Sequence, residues 1–358
     1  MTTTDRDTVL VTGGAGFIGS ALVRRLVEGF DGYVVVVDSL TYAGHMESIE
    51  RASRHPNFVF ERVDITDAQA VRTCFEKWSP RLVFHLAAES HVDRSIDSPA
   101  AFIETNIVGT YVVLEAALGT WRLFQPDRRA ACKFIHVSTD EVFGSLGPSG
   151  FFTEQTAYAP RSPYSASKAA SDHLARAWHH TYGLPVIVTN CSNNFGPYQL
   201  PEKFIPVVIR SALSRRPVPI YGSGENVRDW LYVDDHVDAL CRVATAGTVG
   251  RTYVIGAANE WRNIDIAREV CAILDELRPS PDGSYSELIQ YVHDRPGHDM
   301  RYAIDAAVTR DELDWHPAHS FRESLLETVS WYLANEAWCA RVMAGGPAGE
   351  RLGTRGQS

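Results

Sequence analysis

Short apolar runs, rich in β-branched residues, alternate along the chain with segments of helical periodicity. Runs such as VVVVD contain almost no polar position, which is typical of strands covered on both faces of a sheet. The intervening segments, for example 20–28 and 68–78, are long enough to be crossover helices between parallel strands. The pattern therefore predicts an α/β fold with a doubly wound parallel sheet of the Rossmann type. Its predicted strands lie at 8–12, 33–38, 58–62, 81–86, 134–138 and 186–189.

The pattern changes after about Asn194, where Pro-punctuated segments separate the predicted helices 233–246 and 264–277. The end of the chain is rich in Gly and Arg and contains almost nothing apolar, which predicts disorder. We expect a Rossmann domain that carries the catalytic residues, a smaller C-terminal region that binds mainly the substrate, and a disordered tail. These parts are predicted at 1–193, 194–343 and 344–358.

The composition argues against several classes of function. The 358 residues carry a formal net charge of -10 without a long basic run, so we expect no nucleic-acid partner. We find neither an apolar stretch of about 18 residues nor a signal peptide, and therefore expect a cytoplasmic protein without membrane contact. The six cysteines are scattered without a C-x-x-C pair, which predicts reduced thiols and no metal site.

Three glycines follow the first predicted strand in the segment TGGAGFIGS. Gly13, Gly16 and Gly19 have G-x-x-G-x-x-G spacing between a strand and a helix. A missing side chain permits a tight turn, close approach of the backbone to a pyrophosphate, and close packing of the helix against the strand. The helix N-terminus also offers amide donors and the positive end of the helix dipole. We therefore predict a dinucleotide site that includes Phe17 and Ile18.

Acidic and small residues at the ends of the next strands indicate which dinucleotide binds. Asp38 ends the second strand about twenty residues after the last glycine, where a carboxylate can accept hydrogen bonds from both adenosine ribose hydroxyls. This charge would repel a 2'-phosphate, so the predicted cofactor is NAD. Asp64, after the third strand, is either a contact of the adenine amino group or a solvated turn residue. The other predicted contacts are Ser39, Ile65, Leu86, Ala87 and Ala88.

A tyrosine and a lysine stand four residues apart on a predicted helix that has Ser162 as its N-cap and Pro163 as its first residue. Tyr164 and Lys168 therefore share one helix face. An ordinary phenol has a pKa of about 10. It can act as a base at neutral pH only if the ammonium and a positive nicotinamide stabilise the phenolate. Alone, the pair also fits an ordinary helix surface, but after a dinucleotide fingerprint it predicts the catalytic base.

The segment VSTDEVFG places three polar residues where the fifth predicted strand ends. Open α/β sheets bind their ligands at this edge. Thr139 can donate or accept a hydrogen bond at a substrate hydroxyl that loses its proton. The adjacent Asp140 and Glu141 exceed what a simple alcohol dehydrogenase requires, because its hydride transfer is coupled to one proton. The two carboxylates predict a further step with one acid and one base, the alternative being an acidic turn.

Seven segments, spread from about Val9 to Leu333, carry a resemblance to a known family. In this order they are TGGAGFIG, HLAAESHVDRSI, STDEVFG, YSASKAASD, NNFGPYQLPEKFIP, RDWLYVDDH and DRPGHDMRYAID. The chain closely resembles the dTDP-glucose 4,6-dehydratases of the extended short-chain dehydrogenase/reductase family. The epimerases of this family usually have a different segment where Thr139, Asp140 and Glu141 stand.

The resemblance implies a reaction in three stages. Tyr164 removes the proton of the sugar 4-hydroxyl while hydride passes to NAD. Glu141 then takes the proton beside the new ketone, and Asp140 protonates the departing 6-hydroxyl. Hydride finally returns to the sixth carbon, so that dTDP-glucose becomes dTDP-4-keto-6-deoxyglucose, a deoxysugar precursor, and NAD is regenerated.

The resemblance also implies a set of substrate contacts, in which Arg228 would meet the diphosphate. For His298, a role in stabilising its loop and a ligand contact remain open. Phe195 and Phe204 replace the usual Tyr and Leu, and His45 stands where Asn is common, which concerns substrate fit rather than reaction type. The expected substrate contacts are Ser90, Thr139, Asn193, Glu202, Lys203, Phe204, Pro219, Tyr221, Arg228, Asn263 and His298.

Three alternatives remain open at this point. A nucleotide-sugar 4-epimerase would differ from the expected enzyme in its reaction, and a dehydratase of a UDP-linked hexose would differ in the nucleotide of its substrate. A non-catalytic NAD-binding regulator would use the same fold without the reaction. The resemblance further implies a homodimer, in which the helix after Asn106 and the helix that carries Tyr164 pack against their copies.

Overall fold

The structure is a computed structural model that describes residues 6–294 and 297–344. The predicted disordered tail therefore lies outside the described residues, apart from the end of the last helix. The strands are β1 (Thr8–Thr12), β2 (Tyr33–Asp38), β3 (Phe58–Arg62), β4 (Leu82–His85), β5 (Lys133–Thr139), β6 (Val186–Cys191), β7 (Asn193–Phe195), β8 (Val218–Tyr221), β9 (Val227–Tyr232), β10 (Thr252–Ile255), β11 (Glu260–Arg262) and β12 (Ile289–Val292).

Helices connect most of these strands. A π-helical segment, Ile103–Gly109, and two short 3-10 segments, Asp140–Phe143 and Tyr285–Leu288, complete the helical structure. The α-helices are α1 (Phe17–Gly29), α2 (Met46–Ser53), α3 (Ala68–Trp78), α4 (Val92–Asp97), α5 (Pro99–Phe102), α6 (Thr110–Arg122), α7 (Pro126–Ala130), α8 (Pro163–Tyr182), α9 (Phe204–Leu213), α10 (Val233–Ala246), α11 (Asn263–Leu277), α12 (Ala307–Leu313), α13 (Phe321–Ala334) and α14 (Glu336–Ala344).

The central sheet has seven parallel strands in the order β10-β6-β5-β4-β1-β2-β3. Its two faces are covered by different helices, as the strand alternation requires. Val9 and Val11 of β1 pack with Leu22 of α1 and Leu240 of α10. Leu10 points to the opposite face, where α3, α6 and α8 contribute to the core. The predicted α/β class and the doubly wound parallel sheet are confirmed.

The second region has its own core, built from α9, α11, α13 and α14 around two small sheets. These sheets have the strand orders β11-β9-β7 and β12-β8. The boundary expected at residue 194 is not the boundary of the central sheet. β10 lies after this residue, yet it pairs with β6 and is the seventh strand of that sheet. α10 likewise packs against α1 of the first region. Which region contacts which ligand stays a prediction.

One helical stretch, Pro99–Arg122, is long and apolar enough to cross a membrane by length and composition alone. This stretch was not predicted from the sequence, because Glu104, Thr105 and Asn106 interrupt the apolar positions. Half of its most apolar window is buried inside the protein, as in the core helix of a globular domain. Length and composition alone therefore do not distinguish a core helix from a membrane-spanning helix at Pro99–Arg122.

Candidate active site

One pocket lies along the carboxyl ends of β1, β2, β4, β5 and β6, the edge at which open α/β sheets bind ligands. The structure brings every predicted cofactor residue and catalytic residue to this pocket. Four of the expected substrate contacts line it as well: Thr139, which is also in the catalytic set, and Ser90, Asn193 and Lys203. The predicted residues in the wall are Gly13, Gly16, Phe17, Ile18, Gly19, Asp38, Ser39, Asp64, Ile65, Leu86, Ala87, Ala88, Thr139, Asp140, Glu141, Tyr164 and Lys168.

The turn after β1 has no room for side chains. Gly13 has a φ of +69°, and a Cβ atom there would lie 2.7 Å from the Ala87 backbone. A Cβ atom on Gly19 would collide with the carbonyl oxygen of Gly13. α1 begins at Phe17 without a side-chain cap, so the structure leaves its first amide groups available to an anion. This cradle fits the pyrophosphate of a dinucleotide.

Asp38 lines the pocket where β2 ends. Its carboxylate accepts hydrogen bonds from the backbone N–H groups of Ala15, at 3.0 Å, and of Leu40, at 2.8 Å. Burial raises the pKa of Asp38, while these two backbone donors lower it. A Cβ atom on Gly44 would lie 2.5 Å from a carboxylate oxygen, so the loop beyond β2 packs closely against Asp38. The ribose contact of Asp38 stays a prediction.

Asp64 follows β3, where it forms a local turn. One of its oxygens accepts hydrogen bonds from the backbone N–H of Thr66, at 2.9 Å, and from the Thr66 hydroxyl, at 2.8 Å. The turn role is therefore present in the structure, although Asp64 also lines the pocket. The adenine contact stays a prediction.

Tyr164 and Lys168 lie side by side on α8, and both are buried. Ser162 caps this helix and Pro163 is its first residue, as predicted. Burial and the Glu141 charge raise the pKa of Tyr164 well above its usual range, whereas a hydrogen bond with Thr139 lowers it. The phenol is therefore protonated in the protein alone. Stabilisation of the phenolate by Lys168 together with a positive nicotinamide stays a prediction.

The acidic pair follows the end of β5. Asp140 is buried, and burial together with the charges of Glu141 and Asp229 raises its pKa well above the usual range. One of its oxygens, Oδ2, is buried without a hydrogen-bond partner among the described residues. The Glu141 backbone N–H donates to the Thr139 hydroxyl over 3.2 Å. Its surroundings therefore hold Asp140 protonated.

The comparisons with known proteins agree with this geometry. The model of the GDP-mannose 4,6 dehydratase family matches residues 10–328. The chain is 53% identical over 357 residues to a dTDP-glucose 4,6-dehydratase of Escherichia coli, with 96% of this chain and 99% of that protein covered. The chain belongs to the dTDP-glucose 4,6-dehydratases of the extended short-chain dehydrogenase/reductase family. The predicted family is confirmed.

Two solved structures place this dehydratase among its structural relatives. A dTDP-glucose 4,6-dehydratase of Streptomyces venezuelae, solved with NAD bound, has a TM-score of 0.85 and 40% identity, with 94% of this chain and 99% of that chain covered. A UDP-glucose 4-epimerase of Thermus thermophilus, also in complex with NAD, has a TM-score of 0.80 and 27% identity, with 92% and 99% covered. The expected enzyme class and cofactor are confirmed by these relatives.

The other expected substrate contacts of this dehydratase lie outside the pocket wall. Arg228 is buried, and its guanidinium donates to the backbone carbonyls of Val227, at 2.7 Å, and Asp299, at 2.8 Å. His298 Nδ1 lies 2.6 Å from a carboxylate oxygen of Asp294, which is the loop-stabilising role left open by the sequence. Glu202 accepts a hydrogen bond from Arg94 over 2.9 Å. The remaining members outside the wall are Phe204, Pro219, Tyr221 and Asn263.

Part of the pocket wall was not predicted from the sequence. Cys191 and Ser192 line the pocket where β6 ends, and the strand-edge rule applied to β6 would have found them. Thr105 comes from the π-helical segment, for which the sequence carries no clear signal. The other unpredicted wall residues are Val37, Thr41, Ala43, Gly44, Val63, Glu89, Val137, Ser138, Asn194, Gln199 and Leu200.

Proposed function

We propose that this protein converts dTDP-glucose to dTDP-4-keto-6-deoxyglucose and water. The observation that carries the proposal is the meeting of Asp140 and Glu141 with Tyr164 and Lys168 in one pocket, beside a dinucleotide cradle. Bound NAD would supply a hydride acceptor and donor that is regenerated in each turnover. The acidic pair supplies the acid and the base that removal of water requires.

The roles of the side chains follow from their surroundings. Tyr164 takes the proton of the 4-hydroxyl, and Thr139 holds that hydroxyl by a hydrogen bond. Because the phenol is protonated in the protein alone, its ionisation needs the positive charges of Lys168 and of the nicotinamide. Oxidation at the fourth carbon acidifies the neighbouring C–H bond, which makes the elimination possible.

The elimination divides its two proton transfers between the acids. Glu141 accepts the proton from the fifth carbon as the double bond to the sixth carbon forms. Asp140 donates its proton to the departing 6-hydroxyl, which leaves as water. The raised pKa of Asp140 supports this assignment, because a carboxyl group must be protonated at working pH to act as the acid.

The substrate contacts are part of the same proposal. Ser90, Asn193 and Lys203 line the pocket and would meet the sugar or its nucleotide. Arg228 influences the pKa of Asp140, so its positive charge acts close to the reacting end of the pocket. We assign it to the diphosphate, although two of its nitrogen atoms already donate to backbone carbonyls. The others are Glu202, Phe204, Pro219, Tyr221, Asn263 and His298.

The homodimer is a further part of the proposal. Ile103 is 55% exposed and Tyr111 45% exposed on the stretch Pro99–Arg122, and Tyr182 is 48% exposed on α8. The Tyr111 and Trp178 rings lie 5.8 Å apart, so the two helices present one apolar face. A second copy would cover this face. Sedimentation equilibrium at micromolar concentration would contradict the dimer by returning a species of 39.7 kDa.

We also retain the cytoplasmic location, without nucleic-acid or membrane partners.

A screen of nucleotide hexoses with mass analysis of the products tests the reaction and separates the rivals. We expect dTDP-glucose to yield a product lighter by one water. An epimerase would give a product of unchanged mass, and a non-catalytic regulator would leave every substrate intact. A faster reaction with UDP-glucose would overturn the assignment of the nucleotide.

A further inference from the structure

Asp172 is a fully buried carboxylate on α8 that the proposed reaction does not use. It lies one turn after Lys168 and two turns after Tyr164, on the same helix face. A buried charge is costly unless hydrogen bonds and an opposite charge compensate it. Its surroundings therefore indicate what the charge does.

Three neutral groups hold the carboxylate. Asp172 Oδ1 lies 3.0 Å from His136 Nε2, and Oδ2 accepts hydrogen bonds from the Tyr158 hydroxyl, at 2.7 Å, and from Asn190 Nδ2, at 3.0 Å. Burial raises the pKa of Asp172. The hydrogen bonds with His136 and Tyr158 and the charge of Lys168 nevertheless leave this pKa below its ordinary value. Burial lowers the pKa of His136, so this contact does not cancel the negative charge.

The opposite charge is that of Lys168. Its side chain is buried, and its Nζ atom donates to the Val137 carbonyl oxygen over 2.9 Å. Burial lowers the pKa of Lys168, while the charge of Asp172 raises it. A carbonyl oxygen carries no full charge, so Asp172 contributes the negative charge that favours the ammonium.

Asp172 is also linked to the end of β5 by hydrogen bonds through Asn190. Asn190 Nδ2 donates both to Asp172 and, over 3.1 Å, to the Thr139 carbonyl oxygen. Asn190 lies on β6, next to Ser138 in the sheet register. The position of Thr139 therefore depends on an amide that Asp172 orients.

We propose that Asp172 is a positioning residue of the reaction, which holds Lys168 as an ammonium and, through Asn190, fixes the backbone at Thr139. The proposal deepens the proposed function, because both of its targets belong to the catalytic set. Asp172 itself lies outside the pocket wall and acts through these neighbours.

Cysteine, histidine and tyrosine side chains face Asp172 and Lys168, and they are neutral near pH 7. Burial raises the pKa of Cys191, on β6, to about 12, and it lowers the pKa values of His85, on β4, and His136, on β5. Tyr158, in the segment before α8, has its pKa raised by burial. Arg176, on α8, donates to the Tyr158 hydroxyl over 2.7 Å on the far side of that ring. Asp172 thus supplies the negative charge that acts on Lys168.

The sequence offers a direct test, since the chain has only four lysines, Lys77, Lys133, Lys168 and Lys203. Carbon-13 NMR of lysine labelled at Cε follows the titration of each ammonium in the full chain without substrate, and Lys168→Ala assigns its signal. We expect Asp172→Asn to lower the midpoint of Lys168 by about one pH unit or more. An unchanged midpoint would overturn the proposal.

Two matched variants separate charge from structure. Asp311→Asn removes an exposed carboxylate on α12, and Tyr158→Phe removes one hydrogen bond to Asp172 while keeping its charge. Both should leave the Lys168 midpoint in place, and an equal shift in Tyr158→Phe would refute the role of the charge. If Asp172→Asn does not fold, the wild type decides: an ammonium at pH 7 supports the proposal, and a neutral amine contradicts it.

Activity adds a readout for the reaction itself. In Asp172→Asn the alkaline limb of the kcat profile should move to lower pH together with the NMR midpoint. A uniform loss of kcat at all pH values would indicate a structural role only, and would overturn the proposal. The NMR result does not depend on substrate, so a failed dehydratase assay would not be confused with failure at Asp172.

Discussion

The backbone N–H of Ala15 donates to the Asp38 carboxylate over 3.0 Å, which ties the glycine-rich turn after β1 to the end of β2. The N–H of Leu40 occupies the other carboxylate oxygen at 2.8 Å. Each oxygen retains a lone pair for a ribose hydroxyl. One side chain thus shapes the turn, and we predict that it also offers the acceptors that select NAD.

Asp38→Ala should weaken NAD binding by about 1–3 kcal/mol, the range for a lost hydrogen bond to a charged group. Isothermal titration calorimetry measures the affinity. Asp64→Ala is the matched control and should cost less, because an oxygen of Asp64 is already engaged by Thr66. Equal affinity in Asp38→Ala and the wild type, or tighter binding of NADP by the wild type, would refute the role of Asp38.

Two glycines of α1 should respond differently to the same substitution. A Cβ atom on Gly19 would collide with the Gly13 backbone, whereas one on Gly29 meets nothing within 4 Å. Gly19→Ala should lower the free energy of unfolding by about 1–3 kcal/mol. Gly29→Ala should change it by less than about 1 kcal/mol, on the stabilising side. Urea denaturation monitored by circular dichroism compares them, and equal effects would contradict the close approach.

Tyr164→Phe should reduce kcat by about 100-fold to 10,000-fold, because it removes the base and leaves the ring in place. Binding of the nucleotide sugar, measured by calorimetry, should change little. Tyr291→Phe, at an exposed tyrosine of β12, is the control and should keep full activity. Turnover of Tyr164→Phe above a few per cent of wild type, roughly the upper limit of such losses, would mean that another group is the base.

Asp140→Asn should stabilise the protein increasingly as the pH rises. The pKa of Asp140 is raised above its ordinary value of 3.8, so the folded state holds the proton more tightly than the unfolded state. Folding stability in the wild type therefore falls as the pH rises from that value through the folded pKa, and an amide abolishes this loss. Between about pH 5 and pH 8 the advantage of the variant should grow by about 1 kcal/mol or more. Thermal unfolding at both pH values measures it, and a constant difference would exclude the raised pKa.

The local sequence pattern was sufficient to predict those strands and helices whose bounds do not depend on a distant part of the chain. The bounds of β1, β2, β3, α3 and α10 agree with prediction, because β-branched or aromatic runs mark the strands and helical periodicity marks the helices. β10 was missed, since the four-residue run TYVI after a Gly-rich turn carries little signal without its neighbour β6.

The site shows the same limit. The residues at strand ends were predicted, because the carboxyl edge of a parallel sheet collects them. The protonation states were not, because they depend on burial and on charges from distant segments. Asp229, far from Asp140 in sequence, raises the pKa of that residue, and burial raises the pKa of Tyr164 in the protein alone.

The order of steps provides the most direct test of the dehydratase account. Glu141→Gln keeps the shape and hydrogen bonding of the side chain but cannot accept the proton from the fifth carbon, so oxidation should proceed and elimination should stall. Mixed with dTDP-glucose in a single turnover, the variant should accumulate reduced nicotinamide, which is followed by its absorbance. A 4-keto sugar that retains its 6-hydroxyl should accumulate with it. Loss of water at the wild-type rate would contradict the role of Glu141 and the account built on it.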